Sequence, residues 1–108
     1  MTDKIVVLTT CDSEELAARL ARHLIDQRLA ACVNILPGAR SIYRWKDKIE
    51  EATEVQLMIK SRRELFPALR TEIEKMHPYE VPEIIAIPVV DGSEAYLNWI
   101  EKELAATS

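Results

Sequence analysis

The chain has 108 residues, 48% of them hydrophobic and 30% charged, with a formal net charge of −4. That length supports one hydrophobic core, so a single domain over 1–108 is expected. The acidic balance excludes the basic stripe of a nucleic-acid binder, Lys60-Ser61-Arg62-Arg63 being the densest basic run, and no apolar stretch reaches the roughly 18 residues of a membrane span.

Met1-Thr2-Asp3-Lys4 runs straight into a strand-like segment and does not read as a signal peptide. Ile5-Val6-Val7-Leu8-Thr9-Thr10 is that first strand. Asp12-Ser13 starts a helix with Glu14 and Glu15 in its first turn, where the helix dipole favours acids. Leu16, Leu20, Leu24 and Arg28, with Ala17, Ala21 and Ile25 alongside, make its stripe. A second strand runs from Ala31-Cys32-Val33 to Tyr43-Arg44-Trp45, interrupted by Pro37-Gly38. Lys46-Asp47-Lys48 is a hairpin turn, and Glu54 to Lys60 alternates as the third strand. Ser61 and Glu64 have the spacing of a capping box for a second helix with the face Leu65/Phe66, Leu69, Ile73 and Met76. A fourth strand spans Ile84 to Val90. Asp91-Gly92-Ser93 then turns into a last helix carrying Leu97, Ile100 and Leu104.

The order β-α-β-β-α-β plus a terminal helix predicts an α+β, ferredoxin-like (split βαβ) sandwich. The prolines agree. Proline removes a ladder donor and belongs on edges or at bulges. Pro37 and Pro88 fall in the second and fourth strands, the edges of such a sheet. The first and fourth strands are apolar on both faces, while crossover helices cover only one. A large exposed apolar patch is unusual in a soluble monomer, and Tyr43 and Trp45 project from a long hairpin. Self-association through edge strands is therefore expected.

His77-Pro78-Tyr79-Glu80-Val81-Pro82-Glu83 is the stiffest segment, since each proline fixes its own φ and pushes the preceding residue to extended backbone. His77 has two readings, a cap on the helix end or a ligand or acid/base group. Glu80 and Glu83 can accept backbone hydrogen bonds or hold a cation. Lys60 can pair with an acid at a subunit boundary or bind an anionic ligand. Cys32 reads as a buried thiol, with a copper-ligand role unsupported by spacing. Cys11 sits where a strand meets a helix N-terminus. His23 reads as a surface or boundary residue, and Tyr96 and Trp99 as packing residues of the last helix. The two cysteines lack CxxC spacing and read as free thiols of a cytoplasmic protein.

These residues carry a resemblance. Ala30-Ala31-Cys32-Val33-Asn34-Ile35-Leu36-Pro37-Gly38, Ser41-Ile42-Tyr43-Arg44-Trp45, Glu54 to Lys60, His77 to Glu83 and Tyr96-Leu97-Asn98-Trp99 resemble, in order, the CutA family of divalent-cation tolerance proteins. The resemblance implies a PII-like fold and a compact homotrimer whose hairpin and edge strands extend sheets between subunits. It implies a ligand cleft between subunits with Cys32, Lys60, Tyr79 and Glu80 as binding residues and His77 as the metal residue. It also implies an association with copper or another divalent cation. Some bacterial members carry a first-strand cysteine and two consecutive histidines before Pro-Tyr, taken as copper ligands. Here Thr9 and Met76 stand at two of those positions and only His77 remains. Cys11 lies two residues beyond, a displacement of about 7 Å along a strand. Asp47 replaces a common glycine in the hairpin turn, where Asp tolerates left-handed backbone.

The leading expectation is a homotrimer that binds a divalent cation or small ligand at subunit clefts and acts in metal response or signalling. The alternatives are a structural trimer that assembles a protein partner, and an enzyme using His77 with Glu80 or Lys60 as acid and base.

Overall fold

Alternation decides the first strand. Ile5, Val7, Thr9 and Cys11 turn one way and are buried, whereas Val6 and Leu8 turn the other and stay partly exposed. The computed structural model describes residues 2–106; Met1, Thr107 and Ser108 of the expected domain lie outside the described residues. The elements are β1 (Lys4–Cys11), α1 (Glu14–Asp26), β2 (Cys32–Trp45), β3 (Lys48–Arg62), a 3-10 turn (Arg63–Leu65), α2 (Phe66–Met76), β4 (Ile85–Pro88) and α3 (Glu94–Glu103). The sheet is antiparallel with order β2-β3-β1-β4. The expected central and edge strands are thus the observed ones. Pro88 sits on edge strand β4, and Pro37 sits in a β2 bulge between Leu36 and Ala39.

α1 and α2 cover the inner face. Ala17, Leu20 and Leu24 of α1 and Leu69 and Ile73 of α2 pack on Ile5, Val7, Val55, Leu57 and Ile59. Each fully buried Leu or Ile contributes about 2 kcal/mol. Ser13 caps α1 by accepting from the Leu16 amide at 3.1 Å, and Ser93 caps α3 by accepting from the Tyr96 amide at 3.3 Å. α3 lies at one end of the outer face, where Ile100 and Leu104 join Ala31 and Leu65 in a second small cluster.

Several expectations need correction. Ser61 caps nothing. It is the buried penultimate residue of β3, and its hydroxyl donates to the Leu29 carbonyl at 2.7 Å. The Ser61–Glu64 spacing therefore mimics a capping box inside a strand, and α2 starts later with Pro67 in its first turn. Arg28 leaves the α1 stripe because its φ of 57° ends the helix, and Ile25 is exposed. β3 begins at Lys48, not Glu54: the arm Lys48–Thr53 buries neither face and so shows no alternation. β4 is shorter than Ile84–Val90, since its regular pairing stops at Pro88.

Thr9 offers a clean stability test. It is fully buried on the inner face, and its hydroxyl has no hydrogen-bond partner among the described residues. Thr9→Val keeps the β-branched shape and removes the orphan hydroxyl. It is expected to stabilise the fold by about 1 kcal/mol, raising Tm by about 4 °C; differential scanning calorimetry checks this, and a lowered Tm would mean that water satisfies the hydroxyl.

Candidate functional site

The bulge at Pro37-Gly38 builds the site. One extra residue on β2 shifts side-chain parity, so Ala39 pairs with Glu54 where Leu36 pairs with Gln56. Gly38 takes φ +84°, a conformation that disfavours other residues. Beyond it Ser41, Tyr43 and Trp45 fall on the same sheet face as Glu54 and Thr10. Without the bulge the two rings would point the other way. The hairpin turns at Lys46 and Asp47 with φ of 50° and 65°, the pattern of a tight two-residue turn.

The loop after α2 supplies the opposite wall. His77 ends α2, its amide donating to the Ile73 carbonyl at 3.0 Å. The ring is buried and both nitrogens are used within the chain. Nε2 lies 2.5 Å from the Thr10 carbonyl, and Nδ1 accepts from the Tyr79 amide at 3.2 Å. The carbonyl can only accept, so Nε2 carries the proton. The histidine thus ties the loop to the end of β1, and its ring meets that of Tyr79 edge-on at 4.5 Å. Tyr79 in turn donates its hydroxyl to Glu54 Oε2 at 3.0 Å. Burial, and then the Glu54 carboxylate, push the Tyr79 phenol far above its ordinary value of 10.0.

Between hairpin and loop lies a groove of about 610 Å³. Tyr43, Trp45 and Ile42 line one side, Tyr79, Glu80, Val81 and Glu83 the other, with Glu54 and Thr10 between them. Glu54 is 7% exposed, Glu80 and Glu83 exposed.

Ultraviolet difference titration checks the Tyr79–Glu54 bond. Tyr79 is expected to ionise only well above pH 10.0, and Glu54→Gln to bring it back toward that value. Because the folded value is raised, Tyr79 contributes stability that is complete below the unfolded value and is lost as pH rises through the folded one. A Tyr79 phenolate at its ordinary value would disprove the contact.

The five residues singled out from the sequence divide between two places. His77, Tyr79 and Glu80 belong to the groove region. Cys32 and Lys60 are cross-strand partners at the far end of the sheet's outer face, about 20 Å along β3 by strand geometry. There Lys60 Nζ hydrogen-bonds Asn34 Oδ1 and lies 4.0 Å from Cys32 Sγ. Cys11 is buried and its thiol donates to the Ser13 carbonyl, 3.3 Å away; burial raises its pKa, against a reactive role. His23 joins α1 to α2 through Glu72 Oε1 at 2.8 Å. Sequence reading missed Glu54 as a site residue. Its signal was the polar position opposite the Pro-Gly bulge.

A metal does not fit these residues in a single chain. Among the described residues no group of three or more His, Cys, Asp or Glu side chains is placed to hold an ion. Glu54, Glu80 and Glu83 line the groove without converging.

The fold and groove define a class: small α+β proteins with a four-stranded antiparallel sheet, three helices and an overlong β2–β3 hairpin. The family model described as CutA1 divalent ion tolerance protein matches residues 5–103. This chain belongs to that family. It is 46% identical over 97 residues to the divalent-cation tolerance protein CutA of Thermus thermophilus, covering 90% of this chain and 94% of that one. It is 48% identical to protein CutA of Mus musculus over 92% of this chain but 56% of the mouse protein, which is longer. The crystal structure of CutA from Xylella fastidiosa superposes with a TM-score of 0.93 at 42% identity, over 96% of this chain and 100% of that one. The structure from Archaeoglobus fulgidus, called a periplasmic divalent cation tolerance protein, gives 0.90 at 41% identity, over 93% and 97%.

Proposed function

We propose that this protein acts in divalent-cation tolerance as a PII-like homotrimer, and that the groove beside Glu54 is part of a cleft between subunits that binds a small ligand or cation. The groove itself carries the reading. One of its walls is a hairpin arm exposed from Ile42 to Glu51 in the single chain, and an isolated two-stranded ribbon is marginal in water. Neighbouring subunits would support that arm and cover Val6, Leu8, Ile85 and Ile87 on the outer face. A copper or other divalent ion would be shared between chains, with His77 as a ligand only after release from Thr10. Cys32 and Lys60 would lie at a second subunit boundary, where the ammonium could meet an acid or an anionic ligand. No helix of the described residues is long and apolar enough to cross a membrane. A cytoplasmic location, suggested by two free cysteines, is part of the proposal and is checked by cell fractionation.

Sedimentation is expected to give three times the 12.3 kDa chain mass. A monomer at micromolar concentration would defeat the trimer. Calorimetric titration with Cu²⁺ or Zn²⁺ is expected to saturate and to weaken in His77→Ala. Equal binding by His77→Ala and parent would remove that residue from the site. An intact trimer that binds neither ion would turn the reading toward a scaffold for a protein partner.

A further inference from the structure

Glu54 is more than nine-tenths buried, yet its one hydrogen-bond partner among the described residues is the neutral Tyr79 hydroxyl. Its Oε1 has no partner among the described residues but is not closed off from solvent, and a carboxylate this largely desolvated favours a counter-charge. No Lys, Arg or His of the described residues lines the groove, while Glu80 and Glu83 add two more carboxylates along it. A cation would supply the missing counter-charge. Its chemistry follows from the other walls. Tyr43, Trp45 and Tyr79 present three aromatic rings, and Ile42 and Val81 add apolar surface. Ring faces attract a weakly hydrated organic cation and cover its methylenes, whereas a small metal ion needs converging oxygen or nitrogen donors. The volume, about 610 Å³, suits a small organic molecule rather than a bare ion.

We infer that the groove takes an extended organic cation bearing two or more ammonium groups, one seated on the Glu54 carboxylate and the chain between them lying against Tyr43 and Trp45. This rests on the reading of the groove as a ligand cleft and names the ligand's class. Tyr79 is a positioning residue, holding Glu54 Oε2 and leaving Oε1 without a partner among the described residues.

Spermidine is the probe. In a Trp99→Phe background Trp45 is the sole tryptophan, and it lines the groove. Spermidine is expected to change Trp45 fluorescence saturably, with MgCl₂ at matched ionic strength giving no such change. Glu54→Gln keeps the side chain's shape and is expected to weaken binding about ten-fold or more. Tyr43→Leu removes one ring from the groove wall and is expected to weaken it about five-fold, with sedimentation run alongside to establish that the assembly persists. A response unaltered by Glu54→Gln, or matched by MgCl₂, overturns the inference. Saturable Cu²⁺ or Zn²⁺ binding that is lost in Glu54→Gln, with no response to spermidine, overturns the organic cation and leaves the broader function standing. Dissociation of Glu54→Gln into monomers, with no spermidine binding by the parent, also overturns it and assigns the counter-charge to a second copy.

Discussion

Glu101→Ala is expected to lower the unfolding free energy by about 3 kcal/mol. One carboxylate on α3 serves two cations: Oε1 lies 2.9 Å from Lys4 Nζ and Oε2 3.3 Å from Arg62 Nη1. Lys4 and Arg62 are register partners on central strands, with side chains only 8% and 2% exposed. Truncating Glu101 leaves both buried. Asp3 at 2.5 Å then holds Lys4 alone, and the Ala105 carbonyl at 2.5 Å holds Arg62. Removing one partner of a fully buried pair costs about 3–5 kcal/mol. Glu101 is itself half exposed, so the lower end applies. The reverse change is milder. Arg62→Met leaves a carboxylate that water can reach and fills much of the volume, so about 1 kcal/mol is expected. Urea denaturation at fixed protomer concentration measures both. A Glu101→Ala cost no larger than that of Arg62→Met would show that water already reaches the two cations.

The same network sets a pH window. Burial pulls the Lys4 pKa down, but hydrogen bonds to Asp3 and Glu101 outweigh it and leave the value above 10.5. Its contribution is complete below 10.5 and is lost as pH rises through the folded value. Asp3 is held below 3.8, first by its hydrogen bond to Lys4. Its contribution is present above 3.8 and is lost as pH falls through the folded value.

Leu57→Ala is the second large effect, with an expected cost of about 3 kcal/mol. Leu57 is fully buried in β3, paired with Thr9 of β1 and Ile35 of β2, under both inner-face helices. A residue clamped between two strands cannot let its surroundings collapse into the gap, so most of the cavity persists. Against a typical stability of about 5–15 kcal/mol, this is a large fraction. Ile49→Ala on the hairpin is the comparison, since Ile49 is 71% exposed in the single chain. A cost below about 0.5 kcal/mol is expected if nothing covers the arm, and a larger cost reports a subunit packed on it. A Leu57→Ala cost under about 1 kcal/mol would contradict the packing of the inner face.

Glu54 shows where sequence reading stopped. Strand alternation tells which residues share a face only while the register is unbroken. The bulge at Pro37-Gly38 resets it, and that reset puts Tyr43 and Trp45 on the sheet face of Glu54. Ser61 failed for a related reason, because capping-box spacing is a local pattern and the hydroxyl's partner, Leu29, is distant in sequence. His77 had two open readings. The structure uses Nε2 to tie the loop to β1 and Nδ1 to brace the loop on the Tyr79 amide, a choice that depends on the position of Thr10.

The sequence by itself determined the order of the elements, the α+β class, the central and edge strands, and the family. Hydrophobic period, turn residues and the missing proline donor are all local, and local signals survive without coordinates. Only the tertiary structure decided which charges are buried and which candidates share a site. It parted Cys32 and Lys60 from Tyr79 and Glu80, seated Lys4 and Arg62 on Glu101, and set Glu54 in one groove with Tyr43, Trp45 and Tyr79. Those outcomes depend on register and on contacts between residues far apart in the chain, which one added residue in a strand is enough to change.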